Sequence, residues 1–119
     1  MKKKDFYTEV DKVGDQDRAT LVKIHGFLDE ATAPEMDKQL VSMIDKGRIR
    51  FVFDCTEMKY IASSGIGVFI RLFGVVSEKD GDFVFIHVRP EIQRIFSMLG
   101  LEKLFKFRPS LQAALKEFS

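Results

Sequence analysis

Apolar positions along this chain follow two alternating rhythms, one with the period of strands and one with the period of helices. Phe6 to Val10 predicts a first strand, and Gly14-Asp15-Gln16-Asp17-Arg18 a polar turn after it. Ala19 to His25 carries Leu21, Val22 and Ile24 and predicts a second strand, which Gly26-Phe27-Leu28-Asp29 leaves. Thr32 is then in place to cap a helix, with Pro34 in its first turn and Glu35 three residues past the cap. Met36, Leu40, Met43 and Ile44 recur at helical spacing until Lys46-Gly47 stops the pattern. Ile49 to Asp54 is a short apolar strand, and a connection through Tyr60 and Ile61 leads to Ser63-Ser64-Gly65. From there a helix runs to about Ser77, Asp80-Gly81 turns the chain, and Phe83 to Val88 is another buried strand. Pro90 opens a helix with Ile92, Ile95, Phe96 and Leu99, closed by Gly100. Leu104 to Phe107 predicts a last short strand, and Pro109-Ser110 starts a terminal helix with Leu111, Ala114, Leu115 and Phe118 inward. Strands alternating with helices predict an α/β domain with helices packed on a sheet. No repeat, low-complexity segment or linker interrupts the order, so one domain over 1–119 is expected, with Met1-Lys2-Lys3-Lys4 as a basic, solvated tail.

The helix after the serines departs from an ordinary amphipathic pattern. Ile66, Val68, Phe69, Ile70, Leu72, Phe73, Val75 and Val76 cover nearly its whole circumference, and Arg71 is its only charge. Such a helix is buried all round or offers an apolar face to something else. Full burial is difficult in 119 residues, so two readings stand: a central helix under its neighbours, or a helix whose first turns form part of a docking surface. Gly67 and Gly74 lie seven apart on one side and leave room for a close backbone. Ser63 or Ser64 is placed to cap the helix by accepting a bond from a free backbone N–H.

Composition narrows the chemistry. Lys and Arg number 19 against 18 Asp and Glu, a net charge of +1, which argues against a dedicated nucleic-acid binder. Cys55 is the only cysteine, so no internal disulfide forms, and a reducing, cytoplasmic setting is expected. No apolar run reaches the ~20 residues that span a bilayer, and a few terminal lysines do not make a stable membrane anchor. His25 and His87 lie in apolar strand contexts with no ligand-spaced neighbour, which reads as strand-end or core histidine and predicts no metal site. Cys55, just past a buried strand, reads as a small hydrophobe. Ser63 sits where a hydrolase nucleophile would, at a strand-to-helix turn, but G-x-S-x-G is absent and no histidine lies in a loop to activate it. Ser64-Gly65-Ile66-Gly67 lacks the rest of a phosphate-loop pattern, and no cofactor is expected.

Three separated segments resemble one family in register. Asp54-Cys55-Thr56-Glu57-Met58-Lys59-Tyr60-Ile61-Ala62-Ser63-Ser64-Gly65-Ile66-Gly67 resembles the signature of STAS domains, and specifically of bacterial anti-sigma factor antagonists. Gly26-Phe27-Leu28-Asp29 with Thr32-Ala33 resembles the segment after that family's second strand. Pro90 to Leu101 resembles its penultimate helix, down to the closing Gly-Leu. The resemblance implies a mixed sheet of four to five strands with helices mainly on one face. It also implies a partner, an anti-sigma factor that is itself a serine kinase. The unmodified antagonist binds this kinase and releases the sigma factor. Phosphorylation breaks the complex, and a serine phosphatase restores it. By position the modified residue is Ser63, with Ser64 the second choice. Partner-binding positions carried over are Asp29, Thr32, Ala62, Ser63, Ser64, Gly65 and Ile66. Ala62 stands where the antagonists usually have Asp, and some STAS domains serve as scaffold subunits of signalling or transport assemblies without a phosphorylation cycle.

Overall fold

A computed structural model describes residues 5–118, so the basic tail expected at 1–4 lies outside the described residues. Strand β1 (Phe6–Val13) and strand β2 (Ala19–Leu28) pair antiparallel, with Tyr7 opposite His25. The chain then alternates through helix α1 (Ala33–Asp45), strand β3 (Arg50–Ile61), helix α2 (Ser63–Ser77), strand β4 (Asp82–Ile86), helix α3 (Pro90–Met98) and strand β5 (Lys106–Arg108). Strands β2 to β5 are parallel, and the spatial order β1-β2-β3-β4-β5 equals the chain order. Each parallel strand is therefore laid beside the last in one direction, and right-handed crossovers place the intervening helices on a single face. Met36, Leu40 and Ile44 of α1, Ile66, Phe69 and Leu72 of α2, and Ile92 and Phe96 of α3 share one core with Val22, Ile24, Phe51, Phe53, Phe83 and Phe85 of the sheet. The terminal helix α4 (Leu111–Leu115) crosses the opposite face, where Leu111, Ala114 and Leu115 cover Leu21, Val52, Val84 and Ile86. The expected mixed sheet with helices mainly on one face is the observed one.

Local chemistry explains the element ends. Gly47 takes a left-handed backbone (φ 94°), and the N–H groups of Gly47 and Arg48 return to the carbonyls of Ile44 and Met43, closing α1. Gly100 (φ 72°) follows α3 in the same way. Ser110 caps α4 by accepting from the Ala113 N–H at 3.1 Å. At the centre of the main core the Phe53 ring lies 4.9 Å from Phe69, 4.9 Å from Phe83 and 5.1 Å from Phe85, the first two edge-on.

Several expected boundaries move. β2 does not end before Gly26 but continues to Leu28, and the expected connection through Tyr60 and Ile61 is the end of β3. Two bulges in β3 explain why: the register passes from Lys23↔Asp54 to His25↔Glu57, and from Gly26↔Met58 to Phe27↔Tyr60, each time with one extra residue in β3. The alternation that marks a strand breaks at both places. β4 stops at Ile86, and His87 sits just past that strand end, exposed with φ 55°, so it is not a core histidine. His25 does lie in a strand, half-buried on the face opposite the main core. Leu99 points outward with Met98 (57% and 79% exposed), and Leu104 precedes β5 without joining it.

The α4 face carries a pH-sensitive network. Lys106 Nζ lies 2.5 Å from Asp82 Oδ2 and 3.5 Å from Glu117 Oε1, and Arg108 Nε donates to Glu117 Oε2 at 2.8 Å. The Asp82 hydrogen bond holds the Lys106 ammonium above its usual range, and the Arg108 hydrogen bond holds the Glu117 carboxyl below its own. Glu117 therefore contributes stability above the ordinary glutamate value of ~4.3, and loses it as pH falls through its lower folded value. Lys106 contributes below ~10.4 and loses its share only at higher pH. Melting temperatures followed from pH 7 into the acid range should fall, and Glu117→Gln should flatten part of that fall.

Candidate functional site

The ends of β2 and β3 are tied where the resemblance places the site. The Ala62 N–H donates to the Leu28 carbonyl at 2.8 Å, so the two strand exits leave side by side. Asp29 closes the loop that follows β2: its Oδ1 accepts from the N–H groups of Ala31 (2.9 Å) and Thr32 (3.2 Å). Thr32 Oγ1 accepts from the Asp29 N–H at 2.9 Å and donates to the Phe27 carbonyl at 2.7 Å. The expected side-chain cap from Thr32 is therefore absent; its hydroxyl is taken by the loop it closes. The Asp29 carboxylate is occupied likewise, and the exposed acid beside it is Glu30.

Neither Ser63 nor Ser64 caps α2. The residue before the helix is Ala62, extended at φ −96° and ψ 169°, and it has no side-chain acceptor. Ser63 is the first helical residue and is solvent-exposed. Ser64 follows, and its hydroxyl oxygen is buried without a hydrogen-bond partner. A helix entered through alanine forgoes about 1 kcal/mol relative to an aspartate cap. Ala62→Asp is accordingly expected to stabilise the fold by about that amount, read as a higher denaturant midpoint at unchanged slope.

Gly65 and Ile66 hold the helix in place. A Cβ on Gly65 would lie 2.7 Å from Leu28 Cγ and 3.2 Å from Ile61 Cγ1, so only glycine lets α2 rest on the strand ends. Ile66 is 4% exposed and belongs to the core, so its side chain anchors the helix and offers no contact surface. The outward stripe of α2 is Ser63, Gly67, Ile70 and Gly74, all exposed and uncharged, at the helical spacing of one face. Open space surrounds the Cβ positions of Gly67 and Gly74, so no part of the described chain makes the close approach they permit. Arg71 beside the stripe is ion-paired with Asp37 of α1.

The structure also brings in residues that periodicity passed over. Phe27 and Tyr60 are Cα partners at the ends of β2 and β3 and are 42% and 47% exposed. Leu28 beside Phe27 is buried, an alternation that could have found Phe27, whereas at Tyr60 the bulge before it removes that signal. Cys55 is fully buried; burial pushes its thiol far up, with Asp54 adding to the shift, so it carries no nucleophile at neutral pH. His25 is engaged by Glu9 at 2.6 Å. Among the described residues no group of three or more His, Cys, Asp or Glu can hold a metal ion, and no helix is long and apolar enough to cross a membrane.

Comparison with known families decides what this arrangement belongs to. The STAS domain model matches residues 11–114. The chain belongs to the STAS domain family. Among the relatives of this STAS chain, an anti-sigma-B factor antagonist of Staphylococcus aureus is 29% identical over 89 residues, covering 75% of this chain and 82% of that protein. The crystal structure of an anti-sigma factor antagonist from Mycobacterium paratuberculosis superposes with a TM-score of 0.77 at 23% identity, over 94% of this chain and 92% of that one. The Bacillus cell fate determinant SpoIIAA, solved in its phosphorylated form, superposes with a TM-score of 0.72 at 14% identity, over 95% of this chain and 100% of that one. Both likenesses establish the STAS fold.

Proposed function

We propose that this STAS domain is a cytoplasmic anti-sigma factor antagonist that works by binding and not by catalysis. Unmodified, it docks on a serine-kinase anti-sigma factor and frees the sigma factor. Phosphorylation of Ser63 ends the complex, and a serine phosphatase renews it. The observation that carries this reading is the placement of Ser63: exposed, at the first position of α2, at the head of an uncharged stripe. A phosphate there adds about −1.5 to −2 charges. The fold tolerates it, because no side chain caps the first turn and the helix N-terminus favours an anion. The docking surface does not, since an apolar contact acquires a charge with no counterpart. Of the carried-over positions, Ala62 and Ser63 supply surface, Asp29 and Thr32 shape the loop, and Gly65 and Ile66 set the helix.

Gel filtration of the chain with its kinase tests this. A complex should form without nucleotide, dissolve on addition of ATP, and return after phosphatase treatment. A second reading, a constitutively bound scaffold subunit, draws on Ala62, which lacks the acidic group usual beside the modified serine. It predicts a complex that ATP leaves intact.

A further inference from the structure

The second face of the sheet is covered over only half its length. α4 lies on Leu21 and Val52, near the starts of β2 and β3, and on Val84 and Ile86 of the short β4. Toward the ends of β2 and β3, which lead to Ser63, the same face continues through Tyr7, His25, Phe27 and Tyr60, and among the described residues no helix lies over it. The Tyr7 ring stacks on His25 with centroids 4.2 Å apart, and Tyr7 is 48% exposed. A hollow of about 330 Å³ opens among Asp5, Tyr7, His25, Phe27, Glu57 and Lys59, and another of about 230 Å³ borders Glu9, Lys23 and Asp54. Tyr60, the Cα partner of Phe27, shares a further hollow with Asp29, Glu30 and Ala62, the residue that precedes Ser63. Among the described residues four carboxylates, Asp5, Glu9, Asp54 and Glu57, face two lysines, Lys23 and Lys59, along these hollows, so this lining is acidic.

Exposed aromatic rings bordered by carboxylates suit one kind of visitor. An arginine or lysine side chain is attracted to the ring faces and to the acids at once. Polyanions, such as nucleic acid or an acidic bilayer, are repelled. Aromatic residues at the centre of a contact also tend to carry its binding energy. Resting on the function proposed above, we infer that this strip is the second half of the anti-sigma factor's footprint and receives an arginine-bearing cationic segment of it, while the stripe beginning at Ser63 takes the apolar contact. The acidic strip steers and orients the encounter, and Ser63 controls whether the complex persists.

The test titrates the chain calorimetrically with each serine-kinase anti-sigma factor of the source genome, without ATP and at two salt concentrations. Tyr7→Thr with Tyr60→Ser is compared with Glu9→Lys with Glu57→Lys, and Glu102→Lys on the far side serves as control. Both strip variants should bind about tenfold more weakly, the charge-reversed pair should lose most of its salt dependence, and the control should bind normally. Glu9 and Glu57 are exposed, so their reversal decides the matter if the aromatic pair fails to fold by its melting curve. Binding by the unaltered chain that neither strip variant changes overturns this inference and leaves the proposed function standing. Binding by no kinase of this type overturns both.

Discussion

Phosphorylation of Ser63 is expected to weaken the complex with the anti-sigma factor about a thousandfold, the equivalent of ~4 kcal/mol. Ser63→Asp carries one charge where phosphate carries nearly two, and should cost about a hundredfold. Ser63→Ala should bind as tightly as the unmodified chain and take no phosphate. The magnitudes follow from where the charge lands. Ser63 opens a stripe that continues through Gly67, Ile70 and Gly74 with no charged residue on it, and Arg71 at its flank is already paired with Asp37. A partner closing over that stripe would strip water from the new charge without offsetting it, a penalty of several kcal/mol. Melting curves separate loss of contact from loss of fold. The modified chain should stay folded, because an anion at the start of α2 is favourable there. Equal affinity of Ser63→Asp and Ser63→Ala would rule the switch out.

Gly26→Ala should be the most damaging single-methyl change in the chain. Gly26 holds φ 89°, a region that costs an alanine about 1–2 kcal/mol. The added Cβ would sit 1.9 Å from the Asp5 carbonyl oxygen, so backbone must move. That carbonyl accepts the Phe27 N–H at 2.8 Å, a bond worth about 1 kcal/mol net. Moving it also loosens Phe6, a fully packed core residue at the start of β1. The total is about 3 kcal/mol, a drop of roughly 10 °C in melting temperature. Hydrogen exchange should show the loss first in β1, whose pairing with β2 begins at Phe6↔Gly26. A variant that melts within a degree or two of the unaltered chain would mean β1 does not depend on this contact.

How much was legible in the sequence depended on whether a rule acted locally. Strand–helix alternation gave the α/β class, and Pro90, Gly47 and Gly100 marked real helix ends, because capping and φ preferences act over a few residues. The long β3 was not legible. Its bulges shift the side-chain alternation twice, so Cys55 to Ile61 loses the period-two signal while remaining in the sheet. The cap of α2 differs from the sequence expectation for a related reason. Serines beside a helix start favour capping, but register with the Leu28 carbonyl sets where the helix begins, and it begins one residue early, through Ala62. Thr32 and Leu99 show the same limit: a side chain's role was decided by what tertiary contact claimed it, the Phe27 carbonyl in one case and solvent in the other. Ser63 itself was legible only through the family signature around it. Its exposure at the head of an uncharged stripe is a fact of packing.

One measurement bears on the central claim most directly. The chain is incubated with its serine-kinase anti-sigma factor and ATP, digested, and the phosphate located by mass spectrometry. The exposed Ser63 hydroxyl should carry it, and Ser64, whose oxygen is buried, should not. Phosphate on Ser64 or elsewhere, or none on a chain that forms the complex, would contradict the account.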